Sequence, residues 1–539
     1  LNAVRRPLSR WSSRVLALSF CLGLGCLSVT KPVAPPETVR ITLLQLNDVY
    51  QFAPLEGGRV GGLARVATLR KQILAENQQK NTLTLFAGDT LAPSVESISQ
   101  IGGKPLQGQQ MIDAWNALGV DYAVPGNHDF DFGDEVLRER IKASRFPWLA
   151  ANIFDNHSGR PFEGLHPYMM VQLDGVKVGL FGLLLPETEV SSSVSQDTNI
   201  RDICSTAKPV ISRLRAQGAT VIIALTHLEV DDDQELARCA PVDVIIGGHD
   251  HIRIEDRSTG VPIFKVAADA VELGRVTLEV DGKSGKVKKV DWKVYPVTDA
   301  IPDDPTFVEA LQKYAPLVAE LSQRVGSTPV PLDARKTVVR TQETNLGSLI
   351  ADALRQAAGT DVALVNGGAI RGDTIFPAGE LTRREMLSIF PYRDQLVKLQ
   401  VTGDILHAAL ENAVSKIEEV ADPPGRFLQV SGLRFAFDPS RPKGQRVLCV
   451  TVGGKPLSPK ASYTLATLSF LAGGKDGYEM FRTLSPTPAL QEGRTPRDVL
   501  SDALRGGKPA PMPTGDGRIQ RLQGGSLQGG ECAPAAATR

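Results

Sequence analysis

Six cysteines among 539 residues, none spaced as a Cys-x-x-Cys pair, leave this chain without a thiolate cage for a metal. Any metal it holds must rest on oxygen and imidazole ligands. Positive charge is not in surplus: 60 Lys+Arg balance 60 Asp+Glu, and no basic stripe or tail occurs. That balance argues against a nucleic-acid polymer as partner, while a small anion held by a few arginines stays open. Long apolar runs are missing as well. The run at 15–29 falls short of the roughly 18–20 apolar residues a spanning helix needs. No internal repeat stands out, and histidine is scarce, with seven in all.

What is present begins with the leader. Arg5, Arg6, Arg10 and Arg14 precede the small and apolar residues 15–29, and a Pro-rich stretch follows at 31–36. That order is the pattern of an export signal, so residues 1–37 read as signal and spacer, and the protein as periplasmic or envelope-anchored. Leu24-Gly25-Cys26 resembles a lipoprotein processing site at which Cys26 would carry a lipid anchor, although Gly23 replaces the branched apolar residue preferred there. Plain signal cleavage is the alternative. Beyond the leader, Cys204 and Cys239 are the one plausible oxidised pair within a domain, yet both read as small buried apolar side chains instead.

From residue 38 to about 300, short apolar runs alternate with amphipathic stretches. Runs at 41–46, 82–86, 122–124, 148–151, 178–184, 220–225 and 242–246 are expected as buried strands. Helices are expected between them at 63–76, 108–118, 134–143 and 203–217. This alternation implies a layered α/β domain. Segments 275–280 and 287–295 flank a turn opening at Asp281-Gly282 and suit an antiparallel hairpin. Phe307, Leu311, Tyr314, Leu317, Val318 and Leu321 suit one connecting helix within 301–326, kinked at Pro316. A second α/β region covers 327–522, and the Gly-, Ser- and Ala-rich 523–539 reads as a disordered tail.

Four of the histidines close strand-like runs beside acids and asparagine. The segments are Asn47-Asp48, Gly88-Asp89, Gly126-Asn127-His128-Asp129, Thr226-His227 and Gly247-Gly248-His249-Asp250-His251. Singly, each has an ordinary explanation as a turn, a cap or a satisfied histidine. Five in this order, each just past a strand where an open α/β sheet leaves its crevice, point to two divalent metals with Asp89 as the bridge.

This order resembles the calcineurin-like metallophosphoesterases. With the second region it narrows to the 5′-nucleotidase family that includes the bacterial periplasmic UDP-sugar hydrolases, over Ile41 to about Phe481. The resemblance implies an αββα sandwich joined by a helix to a C-terminal α/β substrate-binding domain. It also implies two divalent ions (Mn, Zn, Mg, Co or Fe) and attack on phosphorus by a metal-bridging hydroxide. One ion would take Asp48, Asp89 and His251, the other Asp89, Asn127, His227 and His249. His128 would stabilise the transition state, oriented and charged by Asp131. Tyr50 departs from the pattern, because the family usually places histidine there. A phenol with an ordinary pKa near 10 is the poorer ligand. Tyr50 is left to bind as phenolate, to hydrogen-bond a metal-held water, or to weaken the first site.

In the second region, Arg340-Thr341-Gln342-Glu343-Thr344-Asn345, Asn366-Gly367-Gly368-Ala369-Ile370-Arg371 and the stretch from Leu468 to Tyr478 carry the family signature. By that resemblance, Arg371 and Arg340 pair with phosphate oxygens, and Asn366 adds an amide donor near the scissile group. Tyr392 and Phe470 sandwich the base, and Asp476 accepts from the ribose. Catalysis would then need closure across the connecting helix. The leading reading is an exported phosphohydrolase releasing phosphate from a nucleotide or sugar nucleotide. Two alternatives remain: a cyclic phosphodiesterase or sulfur-ester hydrolase on the same fold, or a nucleotide-binding protein whose turnover Tyr50 has weakened.

Overall fold

The computed structural model describes residues 37–391, 394–418, 423–492, 494–505 and 515–522. The expected export signal with Cys26, the stacking residue Tyr392 and the expected tail from 523 lie outside them. Among the described residues, no helix is long and apolar enough to cross a membrane.

The first half is a two-sheet sandwich. Its main strands in chain order are β1 (Thr38–Leu46), β2 (Thr82–Ala87), β3 (Tyr122–Val124), β4 (Trp148–Leu149), β5 (Leu165–His166), β6 (Tyr168–Leu173) and β7 (Val176–Leu184). They continue with β8 (Val221–His227), β9 (Val244–Gly247), β10 (Ile254–Asp256), β11 (Ile263–Lys265), β12 (Glu272–Asp281) and β13 (Val287–Pro296). One sheet has the order β13-β12-β1-β2-β3-β4-β5 and the other β10-β11-β9-β8-β7-β6. Alternate residues of the facing strands fill the space between them, among them Ile41, Leu43, Leu85, Leu180, Ile223, Leu225, Ile246 and Leu278, all fully buried. Each such side chain contributes about 1.5–3 kcal/mol on leaving water. Period-2 patterning thus sets the sheet faces.

Helices cover the outer faces. Leu63–Glu76 buries Leu63, Val66, Ala67 and Ile73 at helical spacing, and Asp134–Ala143 matches its expected range. β1, β2, β3 and β4 run parallel, as do β7, β8, β9 and β11. The carboxyl ends of β1, β2, β3, β8 and β9 therefore meet at one rim.

Two expectations need correction. The connector is not one kinked helix. It is Pro305–Ala310, a turn at Gln312–Tyr314 and a second helix Ala315–Leu321 that begins just before Pro316, after which Arg324–Thr328 is already a strand. Proline lacks the N–H that a continuous helix would need there, but suits a first turn. Its apolar face, Phe307, Leu311, Tyr314, Leu317 and Leu321, packs into the core of the first half. Cys204 and Cys239 are not buried apolar side chains: they form a disulfide tying helix Ile203–Ala216 to helix Val230–Cys239. Cys449 is disulfide-bonded as well. Neither pairing shows in local periodicity.

The second half is built on a mixed sheet with strand order Leu428–Ser431, Val362–Asn366, Ser462–Leu468, Leu396–Thr402 and Thr487–Pro488. Helix Asn345–Ala358, capped by the Thr344 hydroxyl, covers one side, and Gly403–Ala413, capped by Thr402, belongs to the cluster on the other.

Candidate active site

The metal-type side chains sit on strained backbone at the rim. Asp48, Asp89, His249 and His251 all have left-handed φ, at 52°, 66°, 85° and 60°. Such conformations cost non-glycine residues about 1–3 kcal/mol each and persist only where the surroundings over-determine them. The surroundings do. Asp129 sends its buried carboxylate under the Asp89 loop and accepts four backbone N–H groups, from Asp89 (3.1 Å), Thr90 (2.9 Å), Leu91 (2.9 Å) and Gly126 (2.8 Å). Burial, then Asp89, still pushes its carboxyl up to about 6. Asn47 Nδ2 donates to Val266 O (2.9 Å) and Asp48 Oδ2 (2.7 Å), pinning the first loop.

Two glycines are required by contact. A Cβ on Gly126 would lie 2.0 Å from Asp89 Oδ1, and one on Gly248 would lie 2.2 Å from Ala87 O. The Gly-Asn-His and Gly-Gly-His spellings thus reflect how closely these loops approach one another.

Asp48, Asp89 and His227 each offer one donor atom, all within 4.8 Å of one another and all buried. Asp48 Oδ1 is buried without a hydrogen bond and faces His251 Nε2 at 3.3 Å. A convergent set of carboxylate oxygens and imidazoles, one oxygen orphaned, fits a divalent cation. His227 Nδ1 donates to Ala87 O at 2.8 Å, which turns Nε2 toward Asn127 Oδ1 (3.2 Å) and Asp89 Oδ2 (3.4 Å). Burial opposes its protonation, but Asp89 and then Asp48 outweigh that and raise it to about 9. His249 packs edge-on to His227, with ring centroids 5.2 Å apart. Burial and then His227 lower it to about 4, so it is a neutral imidazole.

His128 stands at the opening, with Nδ1 2.8 Å from Asp131 Oδ2 and its backbone N–H on Asp89 Oδ1 at 2.8 Å. Burial lowers its pKa, but the Asp131 hydrogen bond and the Asp89 charge raise it further, so the net shift is upward. Tyr50 is buried, its hydroxyl 3.0 Å from Asp89 Oδ2 and 3.0 Å from His251 Nε2. Burial, then Asp89, Asp48 and Asp269, hold its proton on far above the ordinary phenol range.

In the second half, the structure brings Asn366 and Asp476 together: Asn366 Nδ2 donates to Asp476 Oδ2 at 2.8 Å. One of its amide N–H groups is therefore spent within the protein, while its Oδ1 is buried without a partner. Asp476 is also left-handed, at φ 54°. Arg340 lies against Gly367 and donates to Pro423 O at 3.0 Å. Arg371 is exposed, and Phe470 is 38% exposed.

Comparison with known proteins accounts for both halves. Residues 41–253 match the calcineurin-like phosphoesterase family, and residues 324–483 match the 5′-nucleotidase, C-terminal domain. Protein 5NUC of Lutzomyia longipalpis is 31% identical over 94% of this chain and 97% of its own length. The chain belongs to the 5′-nucleotidase family. It is by that membership a phosphoester hydrolase. The crystal structure of a 5′-nucleotidase precursor from Thermus thermophilus superposes with a TM-score of 0.66 at 30% identity, covering 90% of this chain and 99% of that one. A trifunctional nucleotide phosphoesterase of Bacillus subtilis is 30% identical over 89% of this chain, which spans 35% of that protein's length.

For this family member, sequence reasoning missed several supporting residues. Asp129 was legible as part of a motif but not as the anchor of four N–H groups. Arg384, from helix Arg383–Ile389 of the second half, reaches the loops after β1 and β2, donating to Gln51 and pairing with the buried Glu96. Nothing local marks that contact, which spans 288 residues.

Proposed function

We propose that this chain is an exported, divalent-metal-dependent phosphohydrolase that releases phosphate from nucleotides. The observation that carries this reading is the buried convergence of Asp48, Asp89 and His227 within 4.8 Å at the strand ends, with the His128–Asp131 pair beside it. Asp48, Asp89 and His251 are assigned to one ion, and Asp89, Asn127, His227 and His249 to the other. When bound, two such ions supply charge against the phosphoryl oxygens and a water that ionises near neutral pH. The remaining work falls to the protein. Asp131 holds His128 Nδ1, leaving Nε2 to donate to a phosphoryl oxygen and to pass a proton to the departing ester oxygen. Asp476, steadied by Asn366, accepts from ribose hydroxyls. Phe470 and Tyr392 offer faces to a base, and Arg371 and Arg340 offer guanidinium forks to phosphate.

Export is supported by the basic-then-apolar leader and by the Cys204–Cys239 disulfide, which belongs to an oxidising compartment. The Tyr50 contacts favour a first metal site of reduced affinity over its loss.

The test is phosphate release from AMP, UDP-glucose and bis(p-nitrophenyl) phosphate, with EDTA and with added Mn²⁺. Turnover of AMP that EDTA abolishes and Mn²⁺ restores is expected. AMP binding by calorimetry without metal-dependent turnover would instead identify a nucleotide-binding protein.

A further inference from the structure

Behind the histidine loops lies a buried cation outside the site described so far. Lys265 closes β11 with its side chain 1% exposed. Its Nζ donates to the carbonyl of Leu228 (2.6 Å) and to Asp250 Oδ2 (2.5 Å), and it forms an ion pair with Asp233 Oδ2 (2.8 Å). These partners are not arbitrary. Leu228 follows His227. Asp250 lies between His249 and His251. Asp233, fully buried, accepts from the Thr226 hydroxyl at 2.7 Å, and Thr226 precedes His227.

One ammonium therefore ties together the two loops that carry three of the four rim histidines. The packing is tight as well: a Cβ on Gly247 would lie 2.9 Å from both Asp233 Oδ2 and Lys265 Cε. A lysine so enclosed is costly unless oxygens meet its charge, and here two oxygens accept hydrogen bonds from it while the Asp233 carboxylate lies at ion-pair distance. His249 and His251 sit on left-handed backbone, which needs an anchor to stay in place. His249 is pinned by its N–H on Asp48 Oδ2 (2.9 Å) and His251 by its carbonyl, which accepts from Ala268 N–H (3.1 Å), and Lys265 holds the Asp250 carboxylate between them.

We infer that Lys265 is a positioning residue of the metal centre, acting through Asp250 and the Leu228 carbonyl to set the spacing of His227 against His249 and His251. This inference rests on the proposed metal site. Outer partners of this kind typically change metal affinity about 10–100-fold when removed.

The experiment measures Mn²⁺ affinity by calorimetry on the chelator-treated full chain, with thermal melts and AMP kinetics at limiting and excess Mn²⁺. The variants are Asp250→Ala, Lys265→Arg and Lys265→Met. Asp250→Ala keeps the Lys265–Asp233 pair and the Leu228 contact but removes one oxygen from a buried ammonium, so it is expected to fold with a lowered Tm, to bind Mn²⁺ about 10–100-fold more weakly, and to regain kcat in excess Mn²⁺ with an unchanged KM for AMP. Lys265→Met leaves Asp233 buried and unpaired, so if it does not fold, Asp250→Ala decides alone. Lys265→Arg keeps the charge and is expected to retain more affinity than Lys265→Met. A folded Asp250→Ala with Mn²⁺ affinity within about twofold of wild type overturns the inference, as does a loss of kcat at unchanged affinity. If the wild-type chain binds no Mn²⁺, the metal-site reading and this inference fall together. If it binds and the variants match it, only this inference falls.

Discussion

Replacing Tyr50 with phenylalanine asks what the phenol does to the first metal position. Its hydroxyl stands 3.0 Å from Asp89 Oδ2 and 3.0 Å from His251 Nε2, between two side chains assigned to the same ion. Burial and the surrounding carboxylates keep the phenol protonated, and the proton is donated to Asp89. A cation taking that oxygen competes with the hydrogen bond for it. A bond of this sort to a charged group contributes about 1.5–3 kcal/mol. Tyr50→Phe should therefore destabilise the metal-free protein by about that amount and tighten Mn²⁺ binding by roughly 10–150-fold, since about 1.4 kcal/mol is tenfold. Thermal melts without metal and calorimetry with Mn²⁺ read the two effects separately. A phenol acting as ligand gives the opposite sign. Weaker Mn²⁺ binding by Tyr50→Phe than by wild type would refute the competition argument. Tyr50→His, which adds an imidazole donor, should bind more tightly still.

Three further outcomes are expected. Asp131→Ala removes the partner of His128 Nδ1 and should lower kcat for AMP about 10–100-fold with little change in KM, and a kcat within about twofold of wild type would dismiss the pairing as catalytic. The Cys204–Cys239 link joins residues 35 apart, for which loop entropy predicts about 3–4 kcal/mol, so Cys204→Ser with Cys239→Ser should melt lower and no longer respond to reductant. Burial, then Glu187, Glu229, Asp233 and Glu235, raise the Asp232 carboxyl to about 6. The stability tied to its protonated form is fully present below about pH 4, the unfolded value, and is lost as the pH rises through 6. Asp232→Asn keeps the side chain neutral, so its Tm should exceed wild type's at pH 7–8 and match it near pH 4, whereas parallel curves across that range would contradict the shift.

Local pattern reached far in this chain, and it stopped at identifiable places. The helix at Leu63–Glu76 and the β12–β13 hairpin announce themselves by periods of 3.6 and 2, because each depends on hydrogen bonds between near neighbours. The rim residues stand out for a related reason: a polar side chain just after an apolar run falls at a strand end. The connector misled because its apolar spacing is continuous while its backbone is not, and Pro316 decides in favour of a new first turn. The cysteines misled because the two helices that bring Cys204 to Cys239 are packed by tertiary contacts alone.

From the sequence come the strand ends, the donor types and the family order of their motifs, since period and residue chemistry are local properties of the chain. Only the folded molecule decides that Tyr50 touches both Asp89 and His251, that Asp129 anchors the Asp89 loop, and that Lys265 bridges the loops of His227 and Asp250. The Tyr50–His251 contact joins residues 201 apart, and which hydroxyl, carboxylate or ammonium meets which loop depends on how two sheets are stacked. Stacking is settled by burial of the whole apolar interface, a sum over many residues that no single segment carries.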